Sequence, residues 1–303
     1  MIPAPELPLL LVIAGPTASG KTELAIHAAR RFGTHILSFD SRQFYREMHI
    51  GTAVPGPEQL QAAPHHFIQH ISIHQEYNIA RYREEALALT SRLFREHRVV
   101  VAVGGSGLYL QALVQGLDDL PEPEPGIRAQ IHFRLSHHGL QDLVKQLREL
   151  DPEACRRIDL ANPRRVQRAL EVCLQTGQPY STLLGKRRME VPFRWHPLVI
   201  SMPRPELYHR IDARVLRMMD EGLEEEARSL YAFRELRALS TVGYKELFHY
   251  FDGNCSRGQA MEEIQKNTRR FAKRQTTWFG RFPDYSHIAP GELDAALDRL
   301  SLD

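Results

Sequence analysis

Apolar runs and helical periodicities alternate over roughly the first third of the chain. Leu9 to Ile13 form a continuous apolar run of the kind found in strands buried on both faces, and "TELAIHAARRF" behind it has the spacing of a helix. "HILSFDS" reads as a second strand whose end delivers Asp40 and Ser41. From Asn78, a residue type suited to capping a helix start, "IARYREEALALTSRLFREHR" places Ile79, Tyr82, Ala86, Leu89 and Leu93 on one helical face. The apolar residues before Gly104 in "VVVAVGGSGLYLQAL" predict a third buried strand. Strands alternating with helices imply a parallel sheet whose ligands gather at the carboxyl ends of the strands. The Gly15 loop, Asp40 and Ser106 all stand at such ends and are expected to converge.

The pattern changes at "DDLPEPEPGIR", residues 118–128, where prolines and acids interrupt all periodicity and predict a linker. Beyond it "IRAQIHFRL", "LQDLVKQLREL" and "PRRVQRALEVCLQTG" are helical in spacing until about Arg188, and "HPLVIS" from His196 reads as a strand re-entering the sheet. The expected organisation is therefore an α/β core, residues 1–118 and 196–303, interrupted by an all-helical domain, residues 119–195. No internal repeat is visible.

Between the first strand and the first helix lies "GPTASGKT", comprising Gly15, Pro16, Thr17, Ala18, Ser19, Gly20, Lys21 and Thr22. Its glycines permit backbone angles that turn successive N–H groups inward, and the helix start at Lys21 and Thr22 adds the positive end of its dipole. This context, strand then glycine loop then helix, marks a phosphate cradle in a P-loop NTPase-like parallel sheet. Lys21 can bridge phosphate oxygens, and the Thr22 hydroxyl can ligate a phosphate-bound Mg²⁺. Asp40 admits three readings from the residues alone: a metal ligand, a general base, or a turn cap acting with Ser41. Ser106 in "GGSGLY" either offers its hydroxyl to a substrate or caps the helix that follows.

The 303 residues carry a formal net charge of +2, so overall charge does not announce a nucleic-acid partner. Its distribution does. Residues 264–281 hold Lys266, Arg269, Arg270, Lys273, Arg274 and Arg281 with no acid among them. At helical spacing the first five form a cationic face, with Ile264, Phe271, Gln275 and Trp278 on the other side. Like charges so arranged repel unless a polyanion is near, which points to phosphate or nucleic acid. Two further basic groups, Arg164, Arg165 and Arg168, then Lys186, Arg187 and Arg188, are expected to join this ridge along a cleft between the two domains, a shape suited to folded RNA. His65, His66, His70 and His74 occupy a strand-like stretch with no carboxylate among them, which argues against a metal site. Cys155, Cys173 and Cys255 lie far apart with no C-x-x-C pair, and "MIPAPELP" has no basic leader region. A reduced cytoplasmic protein without export or membrane anchoring is expected.

Seven ordered segments, "GPTASGKT", "DSRQFYREMHIGTA", "APHH", "VGGSGLYLQAL", "NPRRVQRALEV", "VGYKEL" and "NTRRFAKRQTTWF", together resemble the tRNA dimethylallyltransferases. The resemblance implies that the glycine loop, Gly15 to Thr22, holds the diphosphate of dimethylallyl diphosphate with Mg²⁺ on Thr22, and that the acceptor is the adenosine 3′ of the anticodon of a tRNA. It implies Asp40 as general base, Ser106 as a hydroxyl beside diphosphate and tRNA, and Arg214 as the arginine that stabilises the leaving diphosphate. It also implies tRNA contacts at Asp40, Ser41, Arg42 and Gln43, at Ser106 and Arg128, at Arg164, Arg165, Val166, Gln167 and Arg168, and at Ser240, Thr241, Val242, Gly243, Tyr244 and Lys245. The basic residues Arg269, Arg270 and Lys273 complete this set, and a monomer is expected. Three positions depart from the usual pattern: Ser106 replaces a common threonine, Ser240 an arginine and Gln69 an aspartate. The competing readings are an adenylate prenyltransferase acting on free nucleotide, which would have little use for the basic groups, and a P-loop kinase or ATPase.

Overall fold

In the computed structural model, residues 7–185 and 190–300 are described; Lys186, Arg187 and Arg188 therefore lie outside the described residues. Six strands, β1 Leu9–Ala14, β2 Ile36–Ser38, β3 His65–His66, β4 Val99–Gly104, β5 Arg194–Ile200 and β6 Ser286–Ile288, form one sheet in the order β3-β2-β4-β1-β5-β6. Every pairing is parallel. The unbroken apolar runs of β1 and β4 follow from burial on both faces. Leu10, Val12 and Ala14 join Val100 and Ala102 in one core, while Leu9, Leu11 and Ile13 join Val99, Val101 and Val103 in the other. β2 is shorter than "HILSFDS" suggests: the Phe39 N–H still donates to the Val103 carbonyl of β4 at 2.8 Å, and beyond it the chain enters a turn at Asp40 and Ser41.

The helices of this first compact unit, residues 1–114 and 190–303, are α1 Lys21–Phe32, α2 Pro57–Ala62, α3 Ile79–Leu93 and α4 Gly107–Gln115, the last reaching its boundary. Asn78 does cap α3, its side chain accepting from the Arg81 N–H, and Tyr82, Ala86, Leu89 and Leu93 are buried, with Ile79 half-buried. A second compact unit, Gln115–Met189, holds α5 Pro125–Leu150, α6 Pro152–Arg157, α7 Pro163–Thr176 and α8 Tyr180–Leu183. Its own core is built on Ile131, Leu143, Val144, Leu147, Val166, Ala169 and Leu170. The proline-rich stretch expected as linker through Arg128 is shorter: α5 starts at Pro125, where a missing N–H costs nothing at a first turn. Gly139, at φ 78°, breaks α5 into two segments. The chain rejoins the sheet at Arg194, slightly before His196. The first unit continues with α9 Arg204–Asp220, α10 Leu223–Leu230, α11 Tyr244–Phe251, α12 Arg257–Phe279 and α13 Leu293–Asp298. Among the described residues no helix is long and apolar enough to cross a membrane.

Candidate active site

The loop between β1 and α1 takes the shape its glycines permit. Gly15 sits at φ 151°, where an added Cβ would meet the Ile200 carbonyl oxygen at 3.0 Å, and Gly20, at φ 85°, opens α1. Ala18 also adopts a left-handed φ of 65°, a conformation a non-glycine residue holds only when its surroundings impose it. Lys21 Nζ donates to the Pro16 carbonyl at 2.8 Å. Burial pushes the Lys21 pKa down to about 8; the negative charge of Asp40 opposes that shift and the positive charge of Arg214 adds to it. Arg214, from α9, donates to the Thr17 hydroxyl at 3.3 Å. Its own pKa is lowered by burial and raised by Asp40. Two cations and one carboxylate thus share one field, and a polyanion entering it meets both cations.

Thr17, Lys21, Thr22, Asp40, Arg42, Gln43 and Arg214 line one pocket, with Ile211, Val215, Met218, Leu223, Val242 and Ile264 supplying its apolar wall. Asp40 accepts the Arg42 N–H at 3.2 Å. The turn-cap role and a place at the pocket are therefore compatible. The Arg42 guanidinium lies 3.8 Å from the centre of the Phe271 ring, a cation–π stack that holds a half-buried cation beside Asp40. Ser106 does not line that pocket; its hydroxyl is 3.1 Å from the Ser41 hydroxyl and accepts the Ser41 N–H at 3.2 Å. It is joined to the Asp40 loop through that neighbour.

Gln275, assigned to the packing side of its helix by spacing alone, has a more specific place. Its Oε1 accepts the Thr17 N–H at 2.8 Å, and its Nε2 donates to the Gly105 carbonyl at 2.9 Å. One buried amide therefore bridges the phosphate loop and the loop that carries Ser106. Gly105 has no room for a side chain, since a Cβ would fall 2.1 Å from Gln275 Nε2. The signal available in the sequence was a single amide inside an otherwise apolar stripe.

The cationic face of α12 is less uniform than its composition suggests. Lys266 pairs with Glu263 one turn earlier at 2.6 Å, and Arg269 pairs with Asp212 of α9. The acids lie just outside the 264–281 window and on a neighbouring helix, which a reading confined to that window does not see. Arg270, Lys273 and Arg274 remain exposed with no ion pair among the described residues.

Among the other predicted contact residues, Val242 and Gly243 line the pocket. Tyr244 and Val166 are fully buried in the cores of their units, so their segments can meet a partner only through neighbouring residues. Ser240 and Lys245 are exposed and Thr241 is half-buried. In the helical unit Arg164 and Arg165 are exposed, above an N-terminus capped by Asn162. Arg168 is held by the Pro121 carbonyl at 2.8 Å and by Glu171 at 3.6 Å, while Gln167 is half-buried; Arg128 lies 3.4 Å from the same Glu171. Gln69 is tied down twice: its N–H donates to the Gln43 carbonyl at 2.8 Å and its Nε2 to the Arg46 carbonyl at 3.1 Å. An aspartate could not make the second bond.

A family model described as IPP transferase matches residues 43–282. A tRNA dimethylallyltransferase of Christiangramia forsetii is 50% identical over 275 residues, 91% of each chain. Another of that name from Bacteroides thetaiotaomicron, numbered 1, is 42% identical over 296 residues, 98% of this chain and 96% of the relative. The solved structure of a tRNA isopentenylpyrophosphate transferase from Bacillus halodurans superposes with a TM-score of 0.71 at 31% identity, covering 97% of this chain and 95% of that one. A eukaryotic dimethylallyltransferase acting on tRNA, at 23% identity and TM-score 0.79, covers 96% of this chain and 77% of its own and shares the fold.

Proposed function

Because the chain belongs to the IPP transferase family, we propose that it is a tRNA dimethylallyltransferase, a prenyltransferase that moves the dimethylallyl group of dimethylallyl diphosphate to the exocyclic amine of the adenosine 3′ of the anticodon. The observation that carries this reading is the composition of one pocket. A glycine loop with Lys21, and Arg214 beside it, share the pocket with a carboxylate, Asp40, and with Arg42 and Gln43, while Ile211, Val215, Met218, Leu223, Val242 and Ile264 give it an apolar stretch of wall. A diphosphate fits the cationic end and a short hydrocarbon tail the apolar one.

In the proposed reaction the amine nitrogen forms a bond to the allylic carbon while the carbon–oxygen bond to diphosphate breaks, and Asp40 takes the proton the amine sheds. Negative charge grows on the leaving group. With the diphosphate in the glycine loop, Lys21, Arg214 and the N–H groups at the start of α1 would face that growing charge and favour the transition state over the bound donor. Ser106, tied to Ser41, supports the loop on which Asp40 is carried. Among the described residues no group of three or more His, Cys, Asp or Glu side chains is placed to hold a metal ion. The donor set instead suits Mg²⁺ held jointly by the Thr22 hydroxyl and phosphate oxygens, where it would neutralise charge on the diphosphate. Exposed Arg164, Arg165, Arg270, Lys273 and Arg274 are the proposed contacts to the RNA backbone.

Incubation of the purified chain with unmodified tRNA, dimethylallyl diphosphate and Mg²⁺, followed by nucleoside mass spectrometry, should reveal a prenylated adenosine. Free AMP should be a poor acceptor and ATP a poor competitor of the donor. Efficient prenylation of AMP would reassign the chain to nucleotide prenylation, and ATP turnover without prenyl transfer would reassign it to the P-loop kinases or ATPases.

A further inference from the structure

Glu226, on α10, lies outside every motif discussed above, and its carboxylate accepts four hydrogen bonds. Oε2 takes the N–H groups of His49 at 2.9 Å and Ile50 at 2.8 Å; Oε1 takes the Gly51 N–H at 2.9 Å and the Tyr244 hydroxyl at 2.6 Å. Three consecutive backbone N–H groups directed at one anion make a nest occupied by the protein's own side chain. We infer that Glu226 is a positioning residue for prenyl transfer, holding in place the pocket wall formed by Gly51, Thr52 and Ala53; the inference rests on the functional reading above.

The consequences of that nest run into the pocket. Gly51, Thr52 and Ala53 line it. The Ala53 carbonyl accepts from Gln43 Nε2 at 2.8 Å, and the Gln43 N–H donates to the Asp40 carbonyl at 3.0 Å. Ala53 is held at φ 50°, a conformation that relaxes unless its neighbours are fixed. Gly51 lies so close to Tyr244 that a Cβ would fall 2.6 Å from the ring, so only a glycine lets the loop pack this closely on that side chain. Tyr244 is fully buried, and burial together with the Glu226 charge keeps its hydroxyl protonated as a donor. The two residues before it, Val242 and Gly243, also line the pocket. One carboxylate thus fastens two separate wall segments. None of its four bonds reaches the phosphate loop, so loss of Glu226 should harm the geometry around Asp40 more than the grip on diphosphate.

The test compares Glu226→Gln and Tyr244→Phe with the wild-type chain by amide hydrogen exchange, pyrophosphate binding and single-turnover prenyl transfer. Glutamine offers one acceptor oxygen and turns an amide against the remaining donors. The His49–Gly51 amides should then exchange about ten-fold faster or more, and those of residues 19–22 should keep their wild-type rates. Pyrophosphate affinity should stay within about three-fold while the transfer step slows by about thirty-fold or more. Tyr244→Phe leaves the three backbone bonds intact, and its transfer rate should fall by less than about five-fold. Unchanged exchange at His49–Gly51 overturns the inference. So does a transfer rate near wild type in a loosened loop, or a matching collapse of pyrophosphate affinity. A wild-type chain that binds pyrophosphate but transfers no prenyl group would sink the functional reading instead, and the exchange pattern would then decide whether Glu226 holds the wall.

Discussion

If Lys21 holds the diphosphate, its lowered pKa makes that binding readable as proton uptake. With its pKa lowered to about 8, chiefly by burial, it is part neutral in the free protein near that pH. A bound diphosphate stabilises the ammonium and draws the missing proton in. Calorimetry at pH 8 in buffers of different ionisation enthalpy should therefore show uptake of up to about half a proton beyond that of Lys21→Met. Affinity should weaken as pH rises through about 8 in the wild-type chain, and that extra dependence should be missing from the variant. Equal uptake in both proteins would place the diphosphate elsewhere. Asp40 is coupled to the same lysine, because its charge holds the Lys21 pKa up. Asp40→Asn is expected to slow transfer by about 10² to 10⁴ through loss of the base, with tRNA binding retained. It should also move the onset of weakened donor binding to lower pH. A transfer rate near wild type would give the proton to another group.

At the scale of elements, α12 does two jobs on opposite sides. Its inner side places Ile264, Thr268 and Phe271 at the pocket and Gln275 between two loops. Gln275→Glu keeps an acceptor for the Thr17 N–H but sets a carboxylate oxygen against the Gly105 carbonyl. Transfer should drop by about ten- to a hundred-fold and recover partly as pH falls, since a protonated glutamic acid regains a donor. A loss independent of pH would mean that the donated bond to the Gly105 carbonyl is not what the substitution disturbs. On the outer side, Arg270, Lys273 and Arg274 are the cations without an ion pair among the described residues, whereas Lys266 and Arg269 already have acids. Replacing those three by glutamine should lower the slope of log affinity for tRNA against log salt by about 0.7 to 0.9 for each RNA phosphate that is no longer neutralised. The same triple change should leave pyrophosphate binding alone. An unchanged slope would turn this side of the helix away from RNA.

For the whole molecule, the parallel sheet was legible because β1 and β4 are buried on both faces and their apolar runs say so. The glycine loop was legible because its spacing is local. What escaped was held by interactions across long stretches of chain: Gln275 to Thr17, Asp212 to Arg269, Phe271 under Arg42. None of these pairs leaves a periodic trace, and a polar residue on an inward stripe was the only visible hint. The helical unit shows the same division between what is local and what is not. Its core explains Val166, and Arg168 and Arg128 share the nearly buried Glu171, so the exposed cations that α7 offers to a partner are Arg164 and Arg165 at its start. Because these two are exposed on a separately packed core, Arg164→Gln with Arg165→Gln should change stability by no more than about 0.5 kcal/mol. If they bind RNA backbone, KM for tRNA should rise by about ten-fold with the single-turnover rate at saturating tRNA preserved, since ground state and transition state are weakened equally. Pyrophosphate affinity should not change. A lowered saturating rate would show that the helical unit also orders the reacting adenosine, and an unchanged KM would remove these arginines from the RNA interface altogether.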